Sequence, residues 1–190
     1  KVSEIPASQN FQVVEIAELR KKISIVAGKS MLFHITNSKS GFSFSKNKEV
    51  QNIATRGPLT PDHVIRTKRI PMVGRNVESY KNEYYSYFKR NEPNAKDRKT
   101  MLDPAPRVVL DEEFGLCGIG KSMKDVSIIS DIYEHTIQSI LRAEKLGGFK
   151  ALPAGDIFDL EYWDLEQAKL KKNKSSLEFE GQVVLITGAA

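Results

Sequence analysis

Apolar side chains recur at positions 13, 14, 16, 17, 19, 23 and 26, with polar and charged residues between them. That spacing predicts an amphipathic helix over residues 12–29, closed by Gly28 at its C-cap. The apolar run "SMLFHIT" then predicts a strand, in which His34 reads as a core or edge residue rather than a ligand. "NSKSGFSFSKNKE" is polar and turn-rich, and predicts a loop or hairpin. "ESYKNEYYSYFKRN" predicts a helix with a Tyr/Phe face, followed by an exposed loop. "APRVVLD" and "FGLCGIG" predict two short strands joined by the acidic turn "DEE".

The clearest helical periodicity runs from Ser122 to Gly148. Val126, Ile129, Tyr133, Ile137, Ile140 and Leu141 share one face, so these residues predict the buried side of a long helix. Ser122 is placed to cap it, with Asp125 completing an Asp version of the capping box, and Gly147-Gly148 to stop it. His135 falls among polar neighbours and reads as a surface residue. "AGDIFDLEYWDLEQAKLKK" predicts one further helix anchored by Phe158 and Trp163, and Val183–Ile186 a last buried strand. The mixture of strands and helices predicts an α/β or α+β layered domain. The expected organisation is an N-terminal extension over 1–11, the layered domain over 12–150, a helix and linker over 151–178, and the start of another domain over 179–190.

Composition narrows the function classes only a little. The 190 residues are 40% hydrophobic and 28% charged, and no apolar run approaches the roughly 20 residues that span a bilayer. The opening has no signal-peptide core, and the lone Cys117 leaves no disulfide framework, so a cytoplasmic setting is expected. The net charge of +5 permits nucleic-acid binding, but the basic runs "RKK", "RTKR" and "KLKKNK" lack interleaved aromatics, so solvated surfaces are expected and no nucleic-acid partner. His34, His63 and His135 have no metal-ligand spacing, and no metal site is expected from this chain.

Three stretches could carry chemistry. In "ATRGPLTPDHVIRTKRIPM", Thr60 can cap a short helix beginning at Pro61. Asp62 and His63 would then be candidates for proton transfer, and Arg66, Thr67 and Lys68 for binding a phosphate or carboxylate. Residue types alone favour the alternative, in which Asp62 caps a turn while Arg66 and Lys68 make structural ion pairs. Gly118-x-Gly120 precedes a helix, but the third glycine of a dinucleotide fingerprint is missing. "VVLITGAA" reads as a strand entering a phosphate-binding turn, with Thr187 and Gly188 as an incomplete cofactor motif.

Taken together, "GPLTPDHVIRTKRIPM", "MLDPAPRVVLDEEFGLCGIGK", "AEKLGGF", "EYWDLEQAKL" and "GQVVLITGAA" resemble the middle of a bacterial bifunctional family. That family joins a class II (adducin-like) aldolase to a short-chain dehydrogenase, as rhamnulose-1-phosphate aldolase/lactaldehyde dehydrogenase. The resemblance implies a three-layer α/β/α aldolase-like domain, here a degenerate copy, followed by a C-terminal helix and the first strand of a Rossmann domain. It implies an upstream aldolase domain with zinc and a downstream domain with NAD, neither bound by this chain. The zinc motifs H-T-H-P and K-H-G-L are absent, and Phe114 stands where the zinc histidine would be.

The implied role is a silent scaffold that spaces or oligomerises the flanking domains, in a homo-oligomer. The competing role has the His63–Arg66–Lys68 turn complete the neighbouring aldolase site; a nucleic-acid module rests on charge alone. The chain is expected to be an interior piece of a longer polypeptide. Its apolar 183–186 segment should be pinned against the 153–171 helix or a neighbour's sheet edge.

Overall fold

The computed structural model describes residues 8–171 and 178–188. Residues 1–7 of the expected extension over 1–11, residues 172–177 of the helix and linker over 151–178, and residues 189–190 lie outside them. The first helix, α1, is Ser8–Ala27, and Gly28 follows with φ +67, the left-handed end that the glycine was expected to supply. Strand β1, Leu32–Ile35, comes next, then helices α2, Lys39–Ser45, and α3, Val50–Ala54.

The polar loop predicted across α2 is therefore a helix. Ser38 accepts the Gly41 amide at 3.0 Å and the Ser45 hydroxyl returns to the Gly41 carbonyl at 2.9 Å. The Ser38 cap lets seven residues of modest helix propensity hold about two turns that also bury Phe44.

A 3-10 turn, Pro61–His63, leads into α4, Val64–Thr67, and then β2, Met72–Val73. Helix α5 is Val77–Asn91, and the hairpin is β3, Val108–Asp111, and β4, Gly115–Gly120. Helix α6 is Met123–Glu144, with Ser122 accepting the Asp125 amide at 3.1 Å as the capping pattern predicts. The expected single C-terminal helix is two: α7, Ala154–Glu161, and α8, Asp164–Lys171. Trp163 falls at their junction, 47% exposed, so the anchors are Ile157, Phe158 and Tyr162 instead.

The sheet has the order β1-β4-β3-β2, with β2 parallel to β3 and the other pairs antiparallel. Alternate side chains leave it in opposite directions. Val109, Cys117 and Ile119 join Leu19 and Ile23 of α1 and Tyr80 of α5 in one core. Val108, Leu110 and Leu116 join Phe44, Ile53, Ile129 and Ile137 in the other. Helices thus cover both faces of a small mixed sheet, the layered α/β arrangement expected. Within α6 the predicted buried face holds, except that Leu141 lies at its margin, 37% exposed. A third, smaller cluster packs Tyr84 and Tyr87 of α5 against Phe158 and Tyr162.

Residues 178–181 form a turn, and 182–187 follow without strand pairing. The predicted strand over 183–186 is therefore absent from the described residues. Its four residues are 66–88% exposed and pair with no strand of this chain's sheet. A central strand of a parallel sheet needs neighbours on both sides, and this segment has none here.

Candidate functional site

Pro61 starts its 3-10 turn, where its fixed φ and missing N–H cost nothing. Thr60 has cap-like backbone angles, but its hydroxyl donates to Asp62 Oδ1 at 2.8 Å rather than accepting a helix amide. That bond holds the exposed Asp62 carboxyl below its usual range, against a smaller opposing effect of burial. His63 is half-buried; burial lowers its pKa, the Asp62 charge opposes this, and His135 adds to the lowering. The His63 Nδ1 atom is buried without a hydrogen-bond partner. Arg66 Nη1 stands 3.8 Å from Asp125 Oδ1, too far for a hydrogen bond. The buried Thr67 hydroxyl contacts the His63 and Lys68 carbonyl oxygens, each at 3.1 Å.

The five predicted residues do not converge. Asp62 faces solvent, Arg66 leans toward the start of α6, and Lys68 turns inward. Lys68 has φ +63, the one positive value outside glycine among the described residues. Such a backbone is unfavourable for a side chain with a Cβ, and here it aims the ammonium into the α5–α7 interface. Nζ donates to Tyr84 Oη at 3.1 Å, reaches Glu161 Oε1 at 3.5 Å, and lies 4.3 Å from the centre of the Tyr84 ring.

Around that ammonium the hydroxyls form a chain. Tyr84 donates to Glu161 Oε1 at 2.9 Å, Tyr162 meets Tyr84 at 2.7 Å, and the Leu102 amide donates to Tyr162 at 3.3 Å. Burial lowers the Lys68 pKa, opposed by Glu161 and assisted by Arg107. Burial likewise raises Tyr84, and pushes Tyr162 up to about 12, so both phenols stay protonated. Glu161 Oε2, Tyr87 Oη and Asp103 Oδ1 are buried and unpartnered. Lys68 and Glu161 are 6% and 0% exposed, which closes this network to a substrate and makes it the polar centre of the α7 docking surface.

A second hub lies at the far end of the sheet. The chain leaves β2 through Gly74, φ +76, so that Arg75 turns back over the β3–β4 hairpin before Asn76 caps α5. Arg75 grips Asp111 with two bonds, Nε–Oδ2 at 2.8 Å and Nη2–Oδ1 at 2.9 Å. It also donates to Glu113 at 2.5 Å and Glu15 at 2.6 Å. Its guanidinium carbon sits 4.0 Å above the centre of the buried Phe114 ring. Asp111 Oδ1 accepts the Glu113 and Phe114 amides, each at 3.0 Å.

Burial raises Asp111, but the Arg75 bond, those two amides and the Arg75 charge outweigh it and hold the carboxyl below its ordinary value. An open groove of about 580 Å³ adjoins Arg75, lined also by Lys22, Val26, Asn76 and Glu78. A phenyl ring at the proposed histidine position and a guanidinium over it do not fit zinc. Among the described residues no group of three His, Cys, Asp or Glu side chains is placed to hold a metal ion.

Gly118 and Gly120 are explained by packing. A Cβ at Gly118 would come within 2.8 Å of Ser130 Oγ, and one at Gly120 within 3.0 Å of the Val126 amide nitrogen. The two glycines let α6 lie directly on β4. Thr187 and Gly188 are exposed and touch no part of these sites.

Tyr84, Arg75 and Glu161 were missed by the sequence reading. Glu161 had a signal: it lies four residues after Ile157 and three after Phe158, on the helix's buried stripe. Arg75 gave none, because its partners Glu15, Asp111 and Glu113 are scattered along the chain.

The family described as aldolase class II, second domain, matches residues 11–170. YuxG of Bacillus subtilis (strain 168), named an uncharacterized oxidoreductase, is 28% identical over 179 residues, a match covering 85% of this chain and 26% of YuxG. The chain thus spans about a quarter of that curated relative. The solved structure of YgbL from Escherichia coli, described as a candidate aldolase/epimerase/decarboxylase, aligns with a TM-score of 0.48 and 17% identity, over 78% of this chain and 64% of that one. No helix of the described residues is long and apolar enough to cross a membrane.

Proposed function

The chain belongs to the aldolase class II second-domain family, and from that premise we propose that it is a non-catalytic scaffold within a bifunctional enzyme. In this reading an upstream aldolase domain with zinc cleaves rhamnulose 1-phosphate to dihydroxyacetone phosphate and lactaldehyde. A downstream short-chain dehydrogenase oxidises the aldehyde with NAD. This domain sets the spacing of the two and carries contacts of a cytoplasmic homo-oligomer.

The observation that carries the proposal is the Arg75–Phe114 hub. At the position assigned to a zinc histidine stands a phenyl ring, and the space above it is taken by a guanidinium bound to three carboxylates. That arrangement fills what a metal would need open. The oxidoreductase name of YuxG, of which this chain spans only part, favours a dehydrogenase elsewhere in the polypeptide. The dispersal of Asp62, Arg66 and Lys68 weighs against a role for that turn in holding a sugar phosphate.

Purified alone with added zinc, the chain should release neither dihydroxyacetone phosphate nor lactaldehyde from rhamnulose 1-phosphate. Release by the chain itself would overturn the scaffold reading. In the bifunctional polypeptide, His63→Ala should leave aldol cleavage unchanged, whereas a fall in kcat would favour the assisting role.

A further inference from the structure

The segment after residue 178 is held at one point and bare beyond it. Gly181 is buried, while Phe179 before it and Gln182 after it are exposed. Its φ is +75, and a Cβ there would come within 2.1 Å of the Ser30 carbonyl oxygen, so only glycine can bring its backbone against that of Ser30. Arg20 of α1 locks the contact. Its Nε donates to the Met31 carbonyl at 2.7 Å and its Nη2 to the Gly181 carbonyl at 2.9 Å. The Gln182 amide returns to the Phe179 carbonyl at 3.1 Å, closing the turn and fixing the direction in which the chain departs.

Immediately past this clamp come Val183, Val184, Leu185 and Ile186, at 73%, 66%, 88% and 73% exposure. Four consecutive large apolar side chains presented to water mark a surface that another body covers. Both sides of the extended segment are apolar, with no polar alternation. A strand of that kind belongs inside a parallel sheet covered on both faces, rather than at the rim of an antiparallel one.

We infer that the Arg20–Gly181–Ser30 clamp is an interdomain positioning device. It fixes the point and angle at which residues 183–186 enter a parallel nucleotide-binding sheet in the same polypeptide. The corner formed by the end of α1 and the start of β1 is then the surface against which that domain is set. Arg20 and Gly181 position; neither touches a reacting group. The identity of the partner rests on the bifunctional reading above, and the clamp itself rests on the contacts alone.

The two parts separate experimentally. In this chain, spin labels at Glu18→Cys and Leu185→Cys report the hold, since the buried Cys117 stays unlabelled. A single narrow distance distribution is expected, broadened by Arg20→Gln and by Gly181→Val with thermal melting unchanged. A distribution as broad before substitution as after it would overturn the clamp. In a polypeptide joining this chain to a following dehydrogenase domain, the 183–186 amides should exchange at least about a hundredfold more slowly than in the chain alone. No such protection would remove the partner. Failure of that polypeptide to bind NAD would sink the bifunctional reading, and the partner with it, while a narrow distance in the chain alone would still support the clamp.

Discussion

Lys68 combines a left-handed backbone with an enclosed ammonium, and each feature alone is unfavourable. Glu161 and two tyrosine hydroxyls offset that cost, so the pair is interdependent. Lys68→Met should lose about 3–5 kcal/mol, because it strands a buried carboxylate. Lys68→Met with Glu161→Met should recover most of this in urea denaturation, since the apolar pair needs no partners. Asp111 predicts a pH dependence of definite sign. Its folded pKa lies below its unfolded value, so its stabilisation is present above the unfolded value, about 3.9, and is lost as pH falls through the folded one. The stability gap between the unsubstituted chain and Asp111→Asn should therefore close in acid; a gap independent of pH would contradict the Arg75 pairing. At this scale the sequence revealed types but not partners. Asp62 and His63 looked reactive because they adjoin in sequence, yet Asp62 bonds to Thr60, His63 Nδ1 has no hydrogen-bond partner, and Lys68 found its partner 93 residues away.

Among the elements, α6 was the most legible and α2 the least. The apolar face of α6 repeats at helical spacing over six turns, and its cap residues sit where a helix needs them. In α2, Phe42 and Phe44 alternate with serines, a strand-like period, while the Ser38 cap and the burial of Phe44 accompany a helix. Gly41 adds a tertiary reason, since a Cβ there would come within 2.7 Å of the Leu116 Cβ. The glycines of β4 looked like phosphate chemistry and proved to be contact chemistry. Gly118→Ala should push α6 from the sheet and cost about 1–3 kcal/mol, visible as a lower melting temperature with helix content retained. An unaltered melting temperature would show that Ser130 can swing aside at little cost.

For the molecule as a whole, the uncharged runs "VVL" and "GLCGIG" agree with strands buried on both faces, as β3 and β4 are. The order β1-β4-β3-β2 was not legible, because β1 joins β4 across 79 intervening residues (36–114) that carry no pairing signal. The tail also changes behaviour at this scale. When no following domain covers them, four bare apolar side chains offer a surface for association between copies of this chain. Leu185→Lys should shift sedimentation toward monomer without affecting the fold, and an identical profile would show that the segment does not mediate self-association.

On the scaffold reading proposed above, the Arg75 hub leaves no room for a metal even if a histidine is supplied. Phe114→His would place an imidazole beneath a guanidinium that covers the ring and already engages the three nearest carboxylates, so an arriving divalent cation would find the space filled and its ligands taken. Equilibrium dialysis should find zinc no better retained by that variant than by the unsubstituted chain. A metal could enter only once the arginine was gone, and removing Arg75 alone would leave Glu15, Asp111 and Glu113 without their shared counter-charge.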